Sequence, residues 1–371
     1  MQLGLTTNAR RGRTAPRIIA AGAAVLLLGS GCSQSAGDDP LATGTDSEAT
    51  AGFLASAAER SSATVHRFEV EISMVMRDPA SGADIDFTGQ VGYGEQQGDR
   101  MSMVMDMGSM MEEMVPQMGE PMPPEMAALD FTMEMVVDPE TLYMRAPFLA
   151  QLSEMFEAEG MPADMMGPFG RMGDGWGRID VAALGDSYGM ADLQSALSGA
   201  QFGDPTVYLD LVAGADQVRE LGDDEIRGVE VRGVAADVSV GEMLDQQGID
   251  PEEYVSQFAG PGLPGAGEVL DEFFTGTLPM AVWVDGDGYV RRLSVDMDLS
   301  ELFSSLDLPS APPGDLEMSF GTSIDFFDYG DESISVEPPE DSVDVTDEFV
   351  QLLETPVPGG AMGPGIGTPL A

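Results

Sequence analysis

Several stretches of the chain place an apolar residue at every second position. Phe68, Val70, Ile72, Met74 and Met76 alternate with Arg67, Glu69, Glu71, Ser73 and Arg77. Ile85, Phe87, Val91 and Tyr93 alternate with Asp86, Thr88 and Gln90, and the two runs are joined by the turn residues Asp78-Pro79-Ala80-Ser81-Gly82. Met101, Met103, Met105 and Met107 alternate with Ser102, Val104 and Asp106, and Phe131, Met133, Met135 and Val137 with Asp130, Thr132 and Glu134. Successive strand side chains point to opposite faces, so this period predicts strands with one buried and one wet face, in an antiparallel meander.

A short strand is expected at Leu142 to Arg145, after the Asp138-Pro139 turn. Further strands are expected at Val218 to Leu221 and Ile226 to Val238. Near the C-terminus Met280 to Val284 and Tyr289 to Leu299 flank Asp285-Gly286-Asp287-Gly288, a strong hairpin signal. On the second of these strands Tyr289, Arg291, Leu293, Val295, Met297 and Leu299 are expected to share a face. Leu316, Met318, Phe320, Ile324 and Phe326 mark another strand, and Ser333 to Glu337 is expected to extend the sheet. At least eight strands result.

Helices are expected at Phe53 to Arg60, Phe148 to Glu159 and Met190 to Leu197. Another starts at Asp204-Pro205, with the Asp as cap and the Pro in the first turn. Gly241 to Gln247, Pro251 to Phe258, Gly267 to Phe274 and Asp347 to Leu353 follow as short helices. The strands need a cover for their apolar face. The expected fold class is therefore α+β: a curved antiparallel β-sheet, a half-barrel, with helices packed on the concave face.

The N-terminus changes the picture from a plain domain to an exported one. Arg10, Arg11, Arg13 and Arg17 precede an apolar run from Ile18 to Leu28, which is shorter than the ~20 residues a membrane-spanning helix needs. Leu27-Leu28-Gly29-Ser30-Gly31-Cys32 follows, and Cys32 is the one cysteine in 371 residues, so an internal disulfide is excluded. The expected organisation is a signal peptide over 1–31, a flexible tether over 32–50, a single domain over 51–354 and a disordered Pro/Gly-rich tail over 355–371.

Sixteen basic residues stand against 65 acidic ones; all sixteen are Arg, and four of them lie in the signal. Such acidity argues against binding nucleic acid or anionic headgroups by charge. Catalysis has little to use. His66 is the one histidine, expected to be structural or at the surface, on the face opposite Phe68. No nucleophile–base constellation, P-loop or dinucleotide fingerprint is present, so neither an enzyme nor a cofactor is expected. The Asp285–Gly288 segment lacks the remaining ligands of a calcium loop and reads as a hairpin turn.

The segment ending at Cys32 resembles a bacterial lipobox, which implies cleavage before Cys32, a diacylglyceryl group on its sulfur, and lipid anchoring at the extracytoplasmic face of the cell membrane. The order of features resembles the LppX/LprG-type lipoproteins of actinobacteria, which share a half-barrel fold with the carrier LolA. The resemblance rests on Ala63 to Phe68, on Gly175-Trp176-Gly177-Arg178-Ile179-Asp180, on Leu278 to Arg292, on Phe327-Asp328-Tyr329-Gly330 and on Val336-Glu337-Pro338-Pro339 closing the sheet. It implies a hydrophobic cavity for an acylated lipid or glycolipid, and a membrane transporter is a further partner that such a carrier could take. The expected wall residues are Phe68, Val70, Ile72, Met74, Phe87, Val91, Met103, Met105, Phe131, Met133, Met135, Val282, Leu293, Val295 and Phe320.

Two stretches depart from that pattern: Met107 to Met126 is a Met-rich insertion, and Met155 to Met172 is rich in Gly, Pro and Met. Twelve Met lie between Met101 and Met135. Thioethers make adaptable apolar surfaces and also suit Cu(I). Two alternatives therefore stand beside the lipid carrier: a structural or interaction lipoprotein with a filled core, and a Met-rich Cu(I)-binding lipoprotein.

Overall fold

The structure, a computed structural model, describes residues 47–78, 83–117, 126, 128–158, 167–183, 205–215, 217–241, 243, 275–300 and 317–354. Cys32, the signal, most of the tether, the 355–371 tail and the helices expected at 190–197, 251–258 and 267–274 lie outside these residues, as do all but two residues of that expected at 241–247.

Twelve strands form one open sheet: β1 (His66–Asp78), β2 (Ala83–Gln97), β3 (Arg100–Asp106), β4 (Thr132–Asp138), β5 (Thr141–Arg145), β6 (Trp176–Asp180), β7 (Val218–Ile226), β8 (Val229–Ser239), β9 (Thr277–Asp285), β10 (Val290–Asp298), β11 (Glu317–Phe327) and β12 (Ser342–Asp344). Their order across the sheet is β12-β6-β5-β4-β3-β2-β1-β11-β10-β9-β8-β7. The pairs are antiparallel, except that β12 runs parallel to β6. The helices described are α1 (Ser47–Ser62), α2 (Gly108–Gln117), α3 (Pro147–Ala158), α4 (Gly167–Met172), α5 (Thr206–Gly214) and α6 (Thr346–Glu354).

One face of the sheet is apolar across nearly its whole width, and registered rows show how. One row runs Phe326, Phe68, Gly94, Met103, Met135, Met144, Gly177 through six consecutive strand pairings. Another runs Val234, Val282, Leu293, Ile324, Val70, Gly92, Met105, Met133. Glycines in these rows make room for their neighbours: a Cβ on Gly94 would stand 2.3 Å from Phe68 Cζ, and one on Gly177 would stand 1.9 Å from Met172 Sδ. Leu54, Ala57 and Ala58 of α1 and Leu209, Leu211 and Val212 of α5 belong to the same buried cluster as Phe68, Val282 and Leu293. In α1 the inward positions 54, 57, 58 and 61 follow the 3.6-residue period, so its Ala-rich stripe sits flat on the cluster.

Several expectations are corrected. A bulge sets Val70 opposite Gly92 and Glu71 opposite Gln90, which leaves Val91 as the extra residue. The bulge reverses the parity of the rest of β2, so Tyr93 pairs with Glu69 and Val104 on the outer face instead of following Phe87 inward. A second bulge on β10 brings Val290 opposite Val284 and leaves Arg291 as the extra residue, so Val290, and not Arg291, joins the buried face. His66 has the same parity as Phe68 and is fully buried on the same face. Ser333 to Glu337 is not a strand: Pro338 and Pro339 follow directly and cannot donate to a ladder, and the added strand is β12. Helix α1 begins at Ser47, inside the stretch expected as tether. At α5, Pro205 itself is the cap and makes no side-chain bond.

Candidate functional site

The two ends of the sheet differ. At one end the connections are tight: residues 97–100, 138–141, 226–229 and 285–290 join neighbouring strands. At the opposite end β3, β5, β8 and β10 finish and β4, β6, β9 and β11 begin, and 107–131, 146–175, 240–276 and 299–316 separate them in the sequence. The apolar face therefore runs from an end with tight turns to an end where successive strands are far apart in the sequence.

The closed end is plugged by polar and aromatic side chains. The His66 ring lies 5.6 Å from that of Phe326 and 5.0 Å from that of Tyr329, and Tyr329 stacks on Tyr289 at 4.4 Å. The Tyr329 hydroxyl donates to the Val290 carbonyl at 2.7 Å, and the Val290 N–H donates to Ser61 Oγ at 3.0 Å, which ties α1 to the sheet. Burial pushes the Tyr329 phenol well above its usual range, so it stays protonated as a donor. The buried Asp285 carboxylate accepts from the Asp287 and Tyr289 N–H groups, both at 2.9 Å, and from Arg291 at 2.6 Å. Its oxygens organise the hairpin turn, as the sequence predicts for this segment.

Most of the expected wall residues come together. Phe68, Val70, Ile72, Phe87, Val91, Met103, Met105, Val282, Leu293 and Val295 share one buried cluster, with Met133, Met135 and Phe320 packed against it. Met74 is half-buried on the same face, opposite Phe87 and Phe320. Phe131 stands apart: it precedes β4 and packs with Ala146 and Phe148, its ring 5.6 Å from that of Phe148. Sequence reasoning omitted Met101, Val290, Met297, Ile324 and Phe326 from the wall, although all are buried in this cluster. Alternation marks four of them, whereas Val290 depends on a bulge that no local pattern announces.

At the opposite end burial is uneven, with Ile85, Val240, Leu278 and Met297 buried. Met74, Met76, Met110, Leu299, Met318 and Phe320 are all half-buried there, whereas Phe68, Val290 and Phe326 at the closed end are fully buried.

The outer face is the chemical opposite. Arg67 pairs with Glu95 at 2.9 Å and with Asp331 at 2.7 Å, Arg292 grips Asp325 through two bonds, and Arg227 pairs with Glu69. The Ser333 N–H, with the Ser333 hydroxyl and Arg67 beside it, holds the Asp331 carboxyl down to about 2. A shallow depression of about 80 Å³ on this face is lined by Glu69, Val70, Glu71, Gln90, Arg292, Ser323 and Asp325, a polar set unlike the inner face. Among the described residues no group of three or more His, Cys, Asp or Glu is placed to hold a metal ion, and no helix is long and apolar enough to cross a membrane.

Two mycobacterial proteins of known structure are similar to this chain in structure. LprF from Mycobacterium bovis matches at 12% identity over 79% of this chain and 97% of its own, with a TM-score of 0.34. LppX from Mycobacterium tuberculosis matches at 12% identity over 79% of this chain and 100% of its own, also at 0.34. A LolA superfamily protein from Nitrosomonas europaea matches at 11% identity over 76% of this chain and 94% of its own, at 0.23. No protein-family model and no curated protein matches the sequence.

Proposed function

We propose that this chain is an exported lipoprotein, anchored through acylated Cys32, that binds the acyl chains of a lipid or glycolipid against the apolar face of its sheet. The observation that carries the reading is the one-sided face itself: closed by His66, Tyr329 and Tyr289 at one end, and half-exposed through Met74, Met76 and Phe320 at the other. An acyl chain laid along this face would meet hydrocarbon and thioether. Each methylene removed from water contributes about 0.8 kcal/mol. Curvature of the sheet around the ligand, with helices on its concave side, belongs to this proposal, as does delivery of the lipid to a membrane partner. The activity is binding without catalysis. The one imidazole is fully buried at the closed end, away from the entrance.

Native mass spectrometry of the mature chain, extracted gently from membranes, tests this directly. The expected spectrum contains a population heavier than the acylated chain by the mass of a diacyl lipid. A spectrum with the acylated chain alone would leave an anchored interaction protein with a filled core.

A further inference from the structure

We propose that Met74, Met76 and Met318 form an oxidation-sensitive patch on the apolar face, and that their conversion to sulfoxides by a peroxide releases a bound acyl chain. The proposal rests on the lipid-binding reading above. Two registered rows cross the sheet here. One runs Leu299, Met318, Met76, Ile85: the Leu299 N–H donates to the Met318 carbonyl at 2.7 Å, Met318 stands opposite Met76, and Met76 opposite Ile85. The other runs Met297, Phe320, Met74, Phe87. At the flanks Ile85, Phe87 and Met297 are buried. On β1 and β11, in the middle of both rows, Met74, Met76, Met318 and Phe320 are half-buried. Three thioethers from two adjacent strands are thus within reach of solvent between buried neighbours.

Packing accounts for the other thioethers of this face. Met101, Met103, Met105, Met280 and Met297 are at most 6% exposed and belong to the core. Met133 and Met135 on β4 are half-buried, but they lie across β2 and β3 from the patch and oppose the buried Met105 and Met103. Oxidation of sulfur follows exposure, so the patch reacts while the core is spared. The one cysteine is Cys32, so no thiol of the folded part competes for the oxidant. The thioether sulfur attacks one oxygen of hydrogen peroxide, and the O–O bond breaks as an S–O bond forms. The departing hydroxide takes the proton of the transferred oxygen and leaves as water. Sulfur loses two electrons and the peroxide gains them. The sulfoxide is a polar acceptor, and an acyl chain lying on it offers no donor. Covering it with hydrocarbon is unfavourable, so oxidation disfavours the bound state.

The test uses the full mature chain and a fluorescent fatty acid. Affinity is measured before hydrogen peroxide, after the peroxide is removed, and again after methionine sulfoxide reductases of both epimer specificities with a dithiol reductant. Peptide mass spectrometry maps the sulfoxides. Met74, Met76 and Met318 are expected to gain one oxygen each while Met103, Met105 and Met280 gain none. Affinity is expected to fall at least about tenfold and to return with the reductases. The Met74→Leu/Met76→Leu/Met318→Leu variant, compared with itself before and after peroxide, is expected to lose much less; the reductase arm decides on wild type alone if that variant fails to fold. Unmodified patch thioethers, an unchanged affinity with all three oxidised, a loss the reductases do not reverse, or an equal loss in a folded variant would overturn the patch and leave lipid binding in place. No binding before any peroxide would instead overturn the lipid reading, and the patch with it.

Discussion

Gly94 shows how much of this fold depends on single atoms. The Phe68 ring occupies the space above it, with Cζ 2.3 Å from a would-be Cβ, and the Ser102 carbonyl oxygen stands 2.5 Å away on the other side. The ring can turn a little, but the carbonyl belongs to a paired strand and cannot yield. Gly94→Ala is therefore expected to destabilise the protein by about 2 kcal/mol, by overpacking, read as a lower urea midpoint at unchanged slope. An unchanged midpoint would mean that Phe68 does not lie over position 94. Nothing local in the sequence reveals this role, because the need for a bare Cα comes from the neighbouring strand. His66 is similar: its parity puts it beside Phe68, and the rings of Phe326 and Tyr329, from the far end of the chain, lie against it.

Among the elements, the inner strands were the legible ones. β1, β3 and β11 each bury one face, so hydrophobic alternation appears in them and marks their positions to within a residue or two; it marks β4 as well, although there Val136 and Val137 are both buried. β7 was read only in part because, at the edge of the sheet, it has almost nothing to bury. From Arg219 to Glu225 every position is exposed, and Asp223, Asp224 and Glu225 look like loop. Such charges suit an edge that must not pair with another chain. The β7–β8 turn uses Arg227 and Gly228, both at positive φ, as a two-residue hairpin of the mirror-image type requires. Arg227 tolerates that conformation while its guanidinium stacks 4.1 Å above the Phe327 ring. Gly228→Ala is expected to cost about 1 kcal/mol through its φ of 80°. The check is faster amide exchange in β7 and β8, with β1 unchanged. Uniform loss of protection would instead make this hairpin part of the global unfolding unit.

At the scale of the molecule, the sequence indicated a one-sided sheet but not its order. That β1 pairs with β11, and that β12 closes the sheet in parallel beside β6, depends on contacts between distant segments that carry no local signature. The grouping of tight turns at one end and long connections at the other follows from that order, and it gives the apolar face a direction. In the function proposed above, acyl chains lie along this face, reaching it from the end opposite the tight turns. A fatty acid bearing a photoreactive diazirine in its chain, irradiated with the full mature protein and mapped by peptide mass spectrometry, tests it most directly. Adducts are expected on inner-face residues near that end, such as Met74, Met133 and Phe320. Adducts confined to outer-face residues such as Tyr93 and Trp283, or no adducts at all, would contradict it.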